Sequence, residues 1–399
     1  MKKVNSNTQK IIHRLQKRWP FTKKDPWLAS QVILSSRERI QARDLKRAIE
    51  ILYGQRSGYF PRMIGLLDKQ ETYSDLDGTT AWQALQLSRM ICDNAPSPAR
   101  LKVHARLQNL VFEKAPRWLQ QYPNFDVMTG LCAAGLALLG EPKSKAAPLE
   151  EILHQTLWTR RERYGDYLLW RKCDGDLNLQ PDLDLGIAHG IYGIFLYLGQ
   201  AASKGRLPTQ YLEMANEIVR FSKDLYHQTE HLPSLISRDP EKNGINLRRS
   251  WCYGDLSAGI SLLCSGALLN HREAVRLGRQ FLKRSLKLPN AYPGQKDDPS
   301  LCHGLFGNAV IYELAYHLTQ QRCYLQEAQE SFHSGVELLS RRNEWVHSKL
   351  STWYTQSVWY SPSGLILFLR QRGFEFSSEW LTCLALPNLG NDIAAHNRM

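Results

Sequence analysis

Apolar positions recur along this chain in two alternating arrangements. In six segments a turn with glycine and a short run of small residues open an apolar stretch: 76–82, 128–135, 188–194, 252–259, 302–307 and 361–366. Between their shared glycines (Gly78, Gly130, Gly190, Gly254, Gly304 and Gly364) the steps are 52, 60, 64, 50 and 60 residues, a period that holds two helices and their connections. The intervening stretches, such as 99–119, 207–226 and 274–286, are apolar on one side and charged on the other. A helix apolar all round is buried, whereas one with a polar face lies outside. Repeated inner–outer pairs close naturally into a double ring, so the pattern predicts an all-α fold, an α/α toroid whose inner helix termini converge at one end. Close packing in a crowded inner ring is itself reason enough for the glycines.

Ahead of the repeats, Ile11, Ile12, Leu15 and Trp19 lie at helical spacing and Pro20 ends the run, while Val32, Ile33, Ile40, Leu45, Ile49 and Leu52 suit a second amphipathic helix closed by Gly54. The expected organisation is therefore a basic helical region over 1–75, packed on a toroid domain over 76–399, or one continuous domain over 1–399. Charge separates the two parts. The chain carries a formal +13, and residues 1–62 hold 15 Lys or Arg against 4 Asp or Glu. Such a segment attracts anions by long-range steering, or serves as a solvated outer face. Helix-turn-helix, zinc-finger and aromatic ribonucleoprotein patterns do not occur, so nucleic acid is not expected as a partner. No run of 18 apolar residues and no secretory signal is found, which makes a cytoplasmic location the expectation.

Chemistry gathers at one place in the repeat. Asp126 precedes Gly130 by four residues, His189 directly precedes Gly190, Cys252 precedes Gly254 by two, and Cys302-His303 runs into Gly304. In a ring these positions meet at one rim. The 8 cysteines are spread without the spacing of a disulfide framework, which favours reduced thiols and metal ligation. Cys252, Cys302 and His303 form a soft, borderline ligand set that suits zinc, and three protein ligands leave a tetrahedral position for substrate. Cys132, Cys173 and Cys264, like His271, His317 and His333, have no repeat-equivalent partner and are read as ordinary structural residues. Asp126 on its own also suits a cap ahead of an apolar helix.

The motifs Gly186-Ile187-Ala188-His189-Gly190-Ile191-Tyr192-Gly193, Trp251-Cys252-Tyr253-Gly254 and Cys302-His303-Gly304, with Asp126-Val127-Met128-Thr129-Gly130-Leu131 as a weaker fourth, resemble those of the lanthionine synthetase C family, in the family's order. The resemblance covers about two thirds of the chain and leaves the first 75 residues unmatched. It implies a toroid of about seven helix pairs and zinc on Cys252, Cys302 and His303. It also implies proton transfer at His189, and active-site positions at Asp126 and Arg248. The departures are a first repeat without its second glycine, Cys132-Ala133 where a Ser-Gly pair is usual, and six glycine repeats instead of seven.

The activity implied is that of a lanthipeptide cyclase, adding substrate cysteine thiolates to dehydroalanine or dehydrobutyrine to form lanthionine and methyllanthionine thioethers. A metal with two thiolate ligands and an imidazole lowers the pKa of a substrate thiol and leaves it nucleophilic. The enolate left by addition needs a proton, for which His189 fits by its ordinary pKa, with Asp126 orienting it and Arg248 steadying the enolate oxygen or Asp126. Implied partners are a dehydrated precursor peptide with its leader, a dehydratase and a transporter, and through them peripheral association with a membrane. An acidic leader would suit the basic residues Lys10, Arg14, Lys17 and Arg18. The residues also leave open a glutathione-adding relative, a zinc prenyltransferase subunit or glycosidase on the same toroid, and a non-catalytic zinc scaffold that binds peptides.

Overall fold

The structure, a computed structural model, describes residues 49–53, 59–69, 75–122, 124–128, 130–171, 183–237, 247–291, 297–341 and 386. The expected helix around residues 11–19, most of that over 31–53, the repeat at 361–366, and Cys173 and Cys383 lie outside the described residues. Chain contacts divide the protein into two units, 1–118 with 342–376, and 119–341 with 377–399. In the first, helices Tyr59–Lys69 and Asp75–Asn94 pack on each other, and Pro98–Gln121 leads out of it. The repeat at 76–82 was expected to be a turn before a helix. Instead the Asp75–Asn94 helix runs straight through it, because Gly78, lacking the partner glycine of the other repeats, is one tolerated residue within an otherwise helical run.

The second unit carries four of the expected pairs. Apolar helices Leu131–Leu138, Ile191–Ser203, Gly254–Leu268 and Leu305–Thr319 alternate with amphipathic helices Lys143–Thr159, Leu212–Gln228, Arg272–Ser285 and Arg322–Arg341. Each apolar helix packs against the amphipathic helix that follows it and against the next apolar helix in sequence, so the four stand side by side in chain order. Burial follows composition. In Ile191–Ser203 every residue through Ala201 is buried, whereas in Arg272–Ser285 only Ala274, Leu277, Gly278, Phe281, Leu282 and Ser285 are, at steps of three and one that trace a single face.

Glycine sets how closely the helices approach. A Cβ on Gly278 would lie 2.5 Å from the Leu263 main chain, and one on Gly259 would lie 2.8 Å from Leu282. The packing role expected for these glycines is thus the one they play. Among the described residues strand is confined to a hairpin, Glu162–Tyr164 with Tyr167–Leu169, and a two-residue antiparallel pairing of Leu183–Asp184 with Leu235–Ile236. Among the described residues no helix is long and apolar enough to cross a membrane.

Candidate metal centre

The apolar helices of the second unit all begin in the same way, and that beginning positions the chemistry. Ahead of each helix glycine the chain makes a tight turn whose amides are capped from within. Asp126 Oδ1 accepts from Met128 N at 2.8 Å and Gly130 N at 3.1 Å. Asp184 Oδ1 accepts from Gly186 N at 2.8 Å, and Asp298 Oδ1 from Ser300 N at 2.7 Å. In the remaining turn Ser250 Oγ accepts from Tyr253 N at 3.2 Å. Short polar side chains satisfy local amides in this way at little entropic cost.

The turns close so tightly that the glycine is obligatory. A Cβ on Gly190 would sit 2.2 Å from Asp184 O, and Gly254 has φ +82°, a left-handed conformation that side chains disfavour.

The residue immediately before that glycine is the one pushed outward. From Leu183 to Ala201 every residue is buried except His189. Tyr253 and His303 hold the equivalent positions and are half-buried, between neighbours that are buried on both sides. Thus the repeat aims His189, Tyr253 and His303 out of their turns, while the residue one earlier, Cys252 or Cys302, stays inside. The turns are also bonded side by side: Ile187 N donates to Cys252 O at 2.9 Å, and Trp251 N to Cys302 O at 3.0 Å.

Cys252, Cys302 and His303 come together as the spacing predicts. Their ligand atoms lie within 4.8 Å of one another, and Cys252 Sγ is 3.5 Å from His303 Nδ1. Sulfur and nitrogen on one tetrahedral zinc, at about 2.3 and 2.0–2.1 Å from it, stand about 3.6 Å apart. The donor set therefore fits zinc both in chemistry and in spacing. Cys252 differs in acidity from the core cysteines. A hydrogen bond from Cys302, then the imidazole of His303, hold its thiol well below the ordinary range against the opposing effect of burial. Burial pushes the Cys132 and Cys264 thiols up, and both are wholly buried among apolar helices, as the reading of them as structural requires.

His189 Nδ1 donates to Asp126 Oδ2 at 3.2 Å, from a ring that is 39% exposed to a carboxylate that is 5% exposed. Asp126 therefore does two jobs: one oxygen accepts from the amides of its own turn and the other holds the histidine, while the following helix has Gly130 at its N-cap and no side-chain cap. The bond fixes the orientation of the ring through Nδ1. A cleft at this point is lined by Asn124, Asp126, Trp170, Arg171, Asp184 and His189. Arg248 is half-buried at the start of the Cys252 turn, six residues before Gly254, where the neighbouring turns carry Asp184 and Asp298. The next residue, Arg249, is structural, donating to the carbonyls of Ser285 at 3.2 Å and Leu286 at 2.7 Å. Trp251 is buried, 1% exposed, as a packing residue. His271 caps the Arg272–Ser285 helix, accepting from Ala274 N at 3.3 Å.

Asp184, Ser250 and Tyr253 are members of this site that motif reading passed over. Ser250 Oγ is 3.6 Å from Cys252 Sγ, and the Tyr253 hydroxyl donates to Asp184 Oδ2 at 3.0 Å. Burial, and the Asp184 carboxylate next to it, push the Tyr253 phenol well above its usual range, so it stays a donor. A signal for them existed in the repeat register: Tyr253 aligns with His189 and His303, and Asp184 with Asn124 and Asp298.

The family model described as lanthionine synthetase C-like protein matches residues 102–351 of the sequence. No curated protein sequence matches the chain. Among solved structures, that of a nisin cyclase is similar, with a TM-score of 0.66 at 17% identity, covering 95% of this chain and 96% of that one. The likeness is one of fold, and it establishes the α/α toroid that the alternating helices predict.

Proposed function

Since the chain belongs to the lanthionine synthetase C-like family, we propose that it is a lanthipeptide cyclase, closing thioether rings in a dehydrated precursor peptide. The observation that carries this reading is the pairing of two different devices on neighbouring turns: a Cys252–Cys302–His303 donor set and an open His189 held by buried Asp126. Zinc on Cys252, Cys302 and His303 would take the substrate cysteine sulfur as its fourth ligand and make it a thiolate at neutral pH.

Sulfur then bonds to the β-carbon of dehydroalanine or dehydrobutyrine, the carbon–carbon double bond opens, and the electron pair passes to the carbonyl as an enolate. His189 is the acid that returns a proton to the α-carbon. Nδ1 is held on Asp126, which orients the ring, and in this reading Nε2 carries the proton delivered. Arg248 steadies the enolate oxygen, a role open to a half-buried guanidinium at the mouth of the Cys252 turn. Both reacting groups belong to one peptide, so the remaining task is positioning.

In this reading the peptide carries a leader and comes from a dehydratase, and the cyclase works in the cytoplasm in a complex with that enzyme and a transporter, associated with the membrane through them. Residues 1–62 are the proposed docking segment, on the strength of their 15 cationic against 4 acidic side chains.

The test is mass spectrometry of the dehydrated peptide, treated with a thiol-alkylating reagent after incubation with or without the protein. Protected thiols at unchanged mass are expected only with the protein; alkylated thiols in both samples would sink the reading. His189→Asn is expected to abolish ring closure while zinc content stays at the wild-type level. Unchanged ring formation in that variant would favour the non-catalytic scaffold.

A further inference from the structure

One buried side chain joins the turn that presents His189 to the turn that presents Cys252. Asp184 is 2% exposed, and hydrogen bonds reach both of its carboxylate oxygens. Oδ1 accepts from Gly186 N at 2.8 Å, within the His189 turn. Oδ2 accepts from the hydroxyl of Tyr253 at 3.0 Å, and Tyr253 directly follows Cys252. The Oδ1 bond belongs to the turn itself, because Asp298 makes the same bond to Ser300 N at 2.7 Å in the turn before Leu305–Thr319. The Oδ2 bond is different in kind, since it spans two turns.

The main chain around Asp184 is just as closely fitted. Its carbonyl oxygen would be 2.2 Å from a Cβ on Gly190, and Cys252 O would be 2.3 Å from one on Gly186. The two turns meet closely at Gly186 and Cys252, and the Asp184–Tyr253 hydrogen bond is a side-chain link between them.

We propose that Asp184 is a positioning residue: through Tyr253 it clamps the Cys252 turn to the His189 turn, presetting the Cys252 sulfur for the metal and the spacing of thiolate and proton donor. The second half of this rests on the cyclase reading; the first half does not. Partners that orient a metal ligand from outside its own shell are worth about 10- to 100-fold in metal affinity or activity, and a bond to an ionised carboxylate is among the stronger hydrogen bonds.

Two variants of the full chain separate the clamp from general damage. Asp184→Asn keeps the shape and an oxygen for Gly186 N but removes the charge; Tyr253→Phe removes only the hydroxyl. Zinc affinity is measured by competition with a chromophoric chelator, and kcat and KM for ring closure at saturating zinc. Each variant is expected to bind zinc about 10-fold more weakly and to lose about 10- to 100-fold in kcat. KM should stay within about twofold, and the double variant should be no worse than the worse single, because both act through one bond. A change in zinc affinity smaller than about threefold in Tyr253→Phe, or losses that multiply in the double variant, would overturn the proposal. Should Asp184→Asn fail to fold, the affinity of Tyr253→Phe decides alone. If the wild type closes no rings the cyclase reading falls, and the zinc measurement still judges the clamp.

Discussion

Asp255 opens the helix that follows Cys252, and replacing it with Asn should damage the fold far more than a change of one atom suggests. Its carboxylate is wholly buried. Oδ2 accepts from Arg284 Nε at 3.0 Å and Oδ1 from Arg284 Nη2 at 2.7 Å. His231 Nδ1 reaches Oδ2 at 2.7 Å and Leu232 N reaches Oδ1 at 3.1 Å. Every group around it is a donor, so the Asn amide would face donors with a donor, and the Arg284 guanidinium, 13% exposed, would lose its counter-charge. Loss of one neutral hydrogen bond costs about 0.5–1.5 kcal/mol, whereas stripping one partner from a buried ion pair costs about 3–5 kcal/mol. The second effect governs here, because the remaining partner is a cation that cannot deprotonate.

For a unit of this size, about 2–4 °C per kcal/mol puts the expected fall in Tm at roughly 6–20 °C. Scanning calorimetry of wild type, Asp255→Asn, Arg284→Met and the double variant measures it. The double variant should melt above Asp255→Asn, since an apolar side chain in place of Arg284 removes the stranded charge. A fall of less than about 2 °C, or a double variant that melts lower still, would refute the reasoning.

Two further outcomes follow from buried groups. His154 is 1% exposed and bonded to the Tyr197 hydroxyl at 2.7 Å; burial, then the nearby Arg206, push its pKa down from 6.5 to about 4. The folded state keeps it neutral while the unfolded chain takes up a proton below about pH 6.5, so stability should fall as pH drops from about 6.5 toward about 4. That loss is about 2 kcal/mol by pH 5. Urea transitions of wild type and His154→Phe at pH 7 and pH 5 check this, the variant having the shallower dependence. For the metal, Cys302→Ala should abolish stoichiometric zinc by elemental analysis. Cys264→Ala should retain it and lose only about 1 kcal/mol or so of stability in urea, as a small buried side chain does.

How far could the residues alone be read? The order of apolar and amphipathic stretches determines the helix pairs, because burial of an all-apolar helix demands a polar-faced neighbour outside it. The prediction of inner and outer helices holds for every described pair from Leu131 to Arg341. Cys252, Cys302 and His303 were also legible, since residues at one repeat position must share one end of a stack of parallel elements. Gly78 was misread for the converse reason: one glycine carries no information on whether its neighbours turn or continue a helix, and the Asp75–Asn94 helix continued.

What only the tertiary structure decided is which side chains meet across turns. Asp184 and Tyr253 are 69 residues apart, and no periodicity encodes a contact between different positions of different repeats. The same holds for exposure. Alone in its turn, His189 points outward, and that follows from how tightly Gly190 lets the main chain close on Asp184 O, a property of packed backbone that a string of residues does not display.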